Sequence, residues 1–338
     1  MKNQHPHVHI IAEAGTNHNA DPKKAEHLID IARIAGADSV KFQIIYPEGL
    51  YVSKIESDGK LIDNEVIAIR RAGMLADDDY RGLAAYARQK GIPLSASVFD
   101  SAGIRLLNEL DPPYIKIASC DLNNSPLLKQ AAETGKKMIV STGMSTLPEV
   151  EQAVKDIVVT GNEDLVLMHC VSVYPCPTKE MNLGFVETLQ SDFGFPVGLS
   201  DHTENSLAAA AAVALGVTWI EKHFTWDRSA PGFDHPYAME PAGLRQYIQD
   251  VRDISQAFQP KDQKVGQLEA SVSQRARRAL YAARDIRPGE LISENDVLIV
   301  RPAVPLPPND LPKIVGMRPK TAIQRYQPLD LQLLERAS

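Results

Sequence analysis

The 338-residue chain reads as an α/β protein, a (β/α)8 barrel of the TIM type followed by a small β-rich domain. Three observations predict this. Eight short, nearly continuous apolar runs alternate with amphipathic stretches over the first 260 residues, the count and length that such a barrel requires. Several of those stretches end in a glycine just before the next apolar run, as a helix stop feeding a strand would. Beyond residue 260 the texture changes to polar sequence, then to short strands, turn pairs and proline clusters.

The strand candidates are VHIIAEAG (8–15), SVKFQII (39–45), PLSASVF (93–99), YIKIAS (114–119), MIVST (138–142), LVLMHCV (165–171), PVGLSD (196–201) and VTWIEKHF (217–224). Near-continuous apolar runs are typical of parallel strands covered on their outer face. Between them lie helical patterns such as PKKAEHLIDIARIAG, SPLLKQAAETG and LPEVEQAVKDIV, with AGLRQYIQDVRDISQAF as the eighth helix. A doubly wound sheet is the alternative, but the eight units carry no glycine-rich dinucleotide turn. The barrel is therefore expected over residues 1–260, a polar linker over 261–278 and the small domain over 279–338. Some sixty residues make a marginal core alone, so the small domain should lean on the barrel or on a second subunit.

Composition excludes several classes of function. No apolar run reaches the ~20 residues of a membrane span, and the N-terminal MKNQHPHVHI lacks a signal-peptide core. A cytoplasmic enzyme is the expectation. A net charge of −7 argues against broad affinity for nucleic acid, so cations that bind an anionic substrate must be concentrated locally. Three cysteines (Cys120, Cys170, Cys176) have no metal-finger spacing and read as small core residues. His5, His7 and His9 read as a frayed arm rather than a metal tract.

Catalytic groups of a barrel sit at the carboxyl ends of its strands. Those ends are polar here: Glu13, Lys41 and Gln43, Ser97, Lys116 with Ser119 and Asp121, Ser141, Ser172 with Tyr174, Ser200 with His202, and Glu221 with His223. Alternate strand residues share a face, so Lys41 goes with Gln43, Ser200 with His202, and Glu221 with His223. The outer barrel face is covered by helices, which turns Lys41 and Lys116 toward the mouth. Lysines snorkelling at the barrel edge are the alternative. Two lysines among hydroxyls would make a phosphate or carboxylate cradle. His202 and His223 end adjacent strands ~4.8 Å apart, within reach of one shared metal ion. Two histidines that are merely hydrogen-bonded fit that placement equally.

With these residues in view, the chain resembles the sialic (nonulosonic) acid synthases over nearly its whole length. IIAEAGTNHN, GADSVKFQ, YIKIAS-CDLNN-SPLL, VSTGMS, GLSDHT, IEKHFT and DHPYAMEP occur in the family's order. The tail RRALYAARDIRPGELISENDV resembles its antifreeze-like (SAF) domain. The resemblance implies condensation of phosphoenolpyruvate with an N-acetylmannosamine-type aldehyde, with C–O cleavage and phosphate release. It implies a divalent ion on His202 and His223, manganese first, with magnesium or cobalt possible. It places phosphoenolpyruvate on Lys41, Ser97, Lys116, Ser119, Ser141 and Ser200. The sugar would meet Glu13, Gln43, Ser172, Tyr174 and Asp234, with Arg301 reaching across a domain-swapped homodimer. Glu13, Asp121 and Glu221 are the catalytic carboxylates, Asp121 and Glu221 the pair placed to orient water.

Three departures from the family pattern stand out, the first on the phosphoenolpyruvate side and the other two where the acceptor sugar should be read. The loop PLSASVFDS around Ser97 differs from the family's Ser-Thr-Pro-Phe, Ser172 stands where Asn is common, and segment 46–75 does not match. A 2,4-diacetamido-2,4,6-trideoxy hexose, giving legionaminic or pseudaminic acid, therefore competes with N-acetylmannosamine. A catalytically silent sugar-binding homologue and an aldolase using Lys116 as a Schiff base are the readings from other classes.

Overall fold

The computed structural model describes residues 7–258 and 265–336, so His5 and residues 261–264 of the expected linker lie outside the described residues. In chain order the first unit holds strands β1 (His9–Gly15), β2 (Ser39–Ile44), β3 (Lys54–Ser57), β4 (Lys60–Asp63) and β5 (Leu94–Val98). They are followed by β6 (Ile115–Ile117), β7 (Met138–Ser141), β8 (Leu165–Cys170), β9 (Val197–Asp201) and β10 (Trp219–His223). Eight of these close a parallel barrel in the order β1-β10-β9-β8-β7-β6-β5-β2, and each of the eight falls within an expected apolar run. The remaining two, β3 and β4, form an antiparallel hairpin in the segment after β2 that matched nothing, followed by the helix Glu65–Ala72.

Local sequence explains the helices. In the helix Pro22–Ala35, Asp21 caps the N-terminus by accepting from the amides of Lys23 and Lys24, and Pro22 occupies the first turn. Ala25, Leu28, Ile29 and Ala32 recur at helical spacing and are buried. Gly36 ends the helix at φ +89°, a conformation that favours glycine.

Strand parity sorts the barrel into two apolar regions and one polar one. Ile10, Ala12 and Ala14 of β1, with Val40, Phe42 and Ile44 of β2, belong to the large core between strands and helices. Ile11, Tyr114, Ile139, Val166 and Met168 form a separate cluster inside the barrel. Gly198 leaves room for it, since a Cβ there would stand 2.1 Å from Met168 Sδ. Two residues further along the same inward faces stand Glu13, Lys116, Ser141, Cys170 and Ser200, so a dry floor carries a polar layer.

His9 is a correction to the frayed-arm expectation. It lies in β1, its Nε2 is 2.9 Å from Ser39 Oγ, and its ring stacks on Trp219 with centroids 4.0 Å apart. His7 pairs with Asp38 at 3.0 Å.

The chain divides into two compact units, residues 1–260 and 261–338. The second has its own core of Leu280, Ile286, Ile292, Ile314, Ile323 and Leu329. Its strands pair antiparallel, β11 (Ala279–Ala282) with β12 (Val297–Val300) and β13 (Met317–Pro319) with β14 (Leu334–Arg336). The stretch expected as a plain linker carries a helix, Gln267–Ala276, with no buried residue. Among the described residues no helix is long and apolar enough to cross a membrane.

Candidate active site

Parallel pairing sets the site by register. Glu13 stands beside Lys41 across β1 and β2, and Ser200 beside Glu221 across β9 and β10. Register neighbours share the inner face, which brings four charged groups into one small volume. Lys41 Nζ lies 2.6 Å from Glu13 Oε2 and 3.5 Å from Glu221 Oε2, and donates to Ser97 Oγ at 2.8 Å. Lys116 Nζ lies 3.1 Å from Glu221 Oε1, which also accepts from Ser200 Oγ at 3.0 Å. Gln43 Nε2 donates to Glu13 Oε1 at 3.0 Å.

All four charged side chains are buried, and buried charge is tolerated only when it is paired. The two carboxyls diverge. Burial pushes Glu13 above the usual glutamate range, and Lys41 offsets that only partly while Glu221 adds to it. Burial also pushes Glu221 up, but Lys116 and Lys41 outweigh it and hold the carboxyl well below its usual range. Lys41 is raised, because its two carboxylate neighbours overcome the cost of burying an ammonium. One carboxyl is thus poised to carry a proton while the other stays ionised, the pattern of a divided acid–base pair.

Hydroxyls surround the cations. Ser141 Oγ is buried and has no hydrogen-bond partner among the described residues. Ser119 Oγ accepts from the Gly143 amide at 3.0 Å. A Cβ on Gly143 would stand 2.5 Å from Ser172 Oγ and 2.8 Å from Ser119 Oγ, so only glycine lets these two hydroxyls converge.

The two expected metal ligands face each other, with ring centroids 5.6 Å apart. His202 Nδ1 is 2.8 Å from the Val171 carbonyl, which fixes the tautomer and leaves Nε2 for a ligand. His223 Nδ1 is buried with no partner among the described residues, and burial, with His202 alongside, lowers its pKa to about 3. A neutral imidazole with an orphaned, buried nitrogen fits a metal ligand. No group of three or more histidine, cysteine or acidic side chains that could hold an ion is present among the described residues, so the fit is to a two-histidine site open to solvent and substrate.

All the expected site residues except Asp121, Asp234 and Arg301 line one cavity of about 230 Å3. Asp121 sits in the turn Ser119–Asp121 and accepts from Asn124 Nδ2 at 3.1 Å, supporting the cap of the next helix. It does not enter the cavity, and Glu13 stands with Glu221 in its place. Asp234 is not part of that lining and stands beside Gly15. A Cβ on Gly15, which has φ +55°, would meet Asp234 Oδ2 at 2.3 Å, and Tyr237 donates to Asp234 Oδ1 at 2.6 Å. Arg301 belongs to the second unit and is exposed just after β12.

Two participants went unread in the sequence. Cys170, taken for a core residue, lines the cavity together with His202; burial raises its thiol pKa, but His202 outweighs that and brings it down to about 7. Its place two residues after Met168 on the inward face was the available signal. Tyr237 completes an aromatic wall, its ring 4.8 Å from Tyr174 and 5.3 Å from His223. The return of Met239, whose amide bonds the His223 carbonyl at 3.0 Å, carries it there.

Comparison with known proteins gives a consistent picture. The model of the NeuB family matches residues 28–263, and that of the SAF domain residues 277–335. The chain is 35% identical to the N,N'-diacetyllegionaminic acid synthase of Legionella pneumophila, over 91% of this chain and 89% of the relative. It is 31% identical to the N-acetylneuraminate-9-phosphate synthase of Homo sapiens, over 98% of this chain and 94% of that one. The crystal structure of N-acetylneuraminic acid (sialic acid) synthetase from Leptospira borgpetersenii superposes with a TM-score of 0.70 at 32% identity. That alignment covers 79% of this chain and 91% of that chain.

Proposed function

This chain belongs to the NeuB family, and from that premise we propose that it condenses phosphoenolpyruvate with an N-acylated amino-sugar aldehyde and releases inorganic phosphate. The observation that carries the proposal is the pair of buried lysines, Lys41 and Lys116, which line the cavity with Ser97, Ser119, Ser141 and Ser200. A dianionic ester meets charge-assisted donors there, and the carboxylates that now hold the lysines balance the charge between turnovers.

Carbon 3 of phosphoenolpyruvate forms a bond to the aldehyde carbon, water adds to carbon 2, and the bond from carbon 2 to the bridging oxygen breaks to expel phosphate. Glu13, held partly protonated, can hand a proton to the new hydroxyl of the sugar chain. Glu221, held ionised between Lys116 and Lys41, can orient the water and take its proton. A divalent ion carried by His202 and His223, manganese first with magnesium and cobalt as alternatives, would supply Lewis-acid polarisation of the aldehyde. Gln43, Ser172, Tyr174 and Asp234 would receive the sugar. Arg301 would complete the site from the partner subunit of a cytoplasmic homodimer.

N-acetylmannosamine is the simplest acceptor, and a 2,4-diacetamido-2,4,6-trideoxy hexose is the competitor that the Legionella relative's name supports. Phosphate release from phosphoenolpyruvate, measured against a panel of aldehydo sugars with metal supplied, tests the proposal. Release with one of them is expected. Silence with all of them would leave the chain a sugar-binding homologue.

A further inference from the structure

A second cavity of about 380 Å3 adjoins the first and shares Gln43 with it. One wall is the end of the helix Glu65–Ala72, from the segment that matched nothing in the sequence, and another is Pro231–Phe233. Two of its donors have no partner among the described residues. His18 is fully buried, and its Nδ1 accepts from the Ala20 amide at 3.2 Å, so the proton sits on Nε2. That Nε2 has no partner among the described residues. Burial lowers the His18 pKa to about 4, against the opposing pull of Asp79 and Asp234, so near neutral pH it is an uncharged donor. The Arg70 guanidinium lies 4.0 Å from the Phe233 ring, and its buried Nε is likewise without a hydrogen bond. Among the described residues no carboxylate lines the cavity.

Buried donors left unpaired cost free energy, and two that face one cavity favour a ligand that brings lone pairs. Between them stand the apolar side chains of Ile45, Ile69 and Met74. A group that fits both features has a carbonyl oxygen beside a small apolar end. A phosphoryl group could use the same donors together with Lys24, which also lines the cavity, but would press a dianion against aliphatic walls.

We propose that this cavity receives a second acylamino group of the acceptor, distal to its aldehyde, and that Arg70 is the residue that selects for it. His18 and Arg70 donate to the amide oxygen, its methyl lies against Ile45, Ile69 and Met74, and the Thr16 hydroxyl accepts from its N–H. This rests on the synthase reading above and narrows its substrate class to sugars acylated twice.

The test compares a 2-acetamido hexose with its 2,4-diacetamido-2,4,6-trideoxy counterpart and with the 6-phosphate of the first. Wild type, Arg70→Met and Arg70→Lys are assayed for phosphate release and, without phosphoenolpyruvate, for sugar binding by calorimetry. Wild type should prefer the diacetamido sugar. Arg70→Met should lose roughly tenfold to hundredfold in kcat/KM for it, mainly through KM, as expected for one charged hydrogen bond. The singly acylated sugar should lose far less, and Arg70→Lys should recover part of the preference. Equal losses for both sugars would overturn the proposal, as would wild-type preference for the phosphorylated sugar. Absence of phosphate release with every sugar would defeat the synthase reading, while the calorimetric difference between the two acetamido sugars would still decide the subsite.

Discussion

Lys41 and Glu13 form an ion pair of 2.6 Å in which both side chains are withdrawn from solvent. The pair joins the first two strands of the barrel, and Glu221 faces the same ammonium from the last. Charge that a substrate could displace is therefore already balanced in the free protein, which ties stability and catalysis to the same atoms.

Replacing either lysine should show both effects. Lys41→Met and Lys116→Met each remove a charged donor to phosphoenolpyruvate, and kcat/KM for that substrate should fall roughly tenfold to hundredfold. Lys41→Met also leaves the buried Glu13 without its cation, so denaturant unfolding should report a loss of about 3–5 kcal/mol, and Lys116→Met should cost less because Glu221 keeps Lys41 at 3.5 Å. Wild-type kinetics for phosphoenolpyruvate in both variants would remove the cradle.

The raised Glu13 carboxyl predicts an unusual pH dependence of stability. A folded-state pKa above the unfolded one means that the folded protein binds the extra proton, so this contribution is present below the usual value of 4.5 and is lost as pH rises through the folded-state value. Glu221 has the opposite sign: its contribution is present above 4.5 and is lost as pH falls. Unfolding free energies measured across the acid and neutral range should decline above that point in the wild type, and the decline should flatten in Glu13→Gln. Parallel profiles for the two proteins would show that Glu13 is not the group responsible.

Metal removal should abolish turnover and leave the fold in place. Two imidazoles supply little of the folding energy, unlike the closed ligand sets of structural zinc. Chelated enzyme should regain activity with manganese, cobalt or magnesium to different extents, and His202→Ala and His223→Ala should regain none. A fall in Tm on chelation as large as that caused by losing the Lys41–Glu13 pair would point to a structural ion instead.

Arg301 provides a test of the expected dimer. Arg301→Ala and His223→Ala should each be nearly inactive alone. Subunits mixed and exchanged should recover part of the activity, because some hybrid sites would hold both an intact barrel and an intact arginine. No recovery after exchange is confirmed would confine Arg301 to a role within its own chain.

The eight barrel strands were legible because each is an apolar run bounded by polar sequence, and parity within a run then identified the inward residues. Parity fails where a strand ends. Asp121 sits in a 3-10 turn beyond β6, so its direction could not follow from Lys116. Contacts between strands are also invisible in one segment, which is why Cys170 and His202 did not read as neighbours. The hairpin β3–β4 did carry a signal, Asp58-Gly59 with φ of +48° and +73°, the positive pair of a tight two-residue turn. Its strands are exposed throughout, so no burial pattern reinforced it. Arg70 was missed for a related reason: it comes from that unmatched segment, which closes one side of a cavity whose other residues include Thr16, His18, Gln43 and Ile45, on or just after β1 and β2.

The most direct test follows the bridging oxygen of phosphoenolpyruvate. With 18O at that position and the preferred sugar supplied, water attack at carbon 2 and C–O cleavage predict that the label leaves entirely in the inorganic phosphate. Unlabelled phosphate, formed at a rate matching sugar consumption, would mean cleavage at phosphorus and would contradict the chemistry assigned to Glu221 and the lysine cradle.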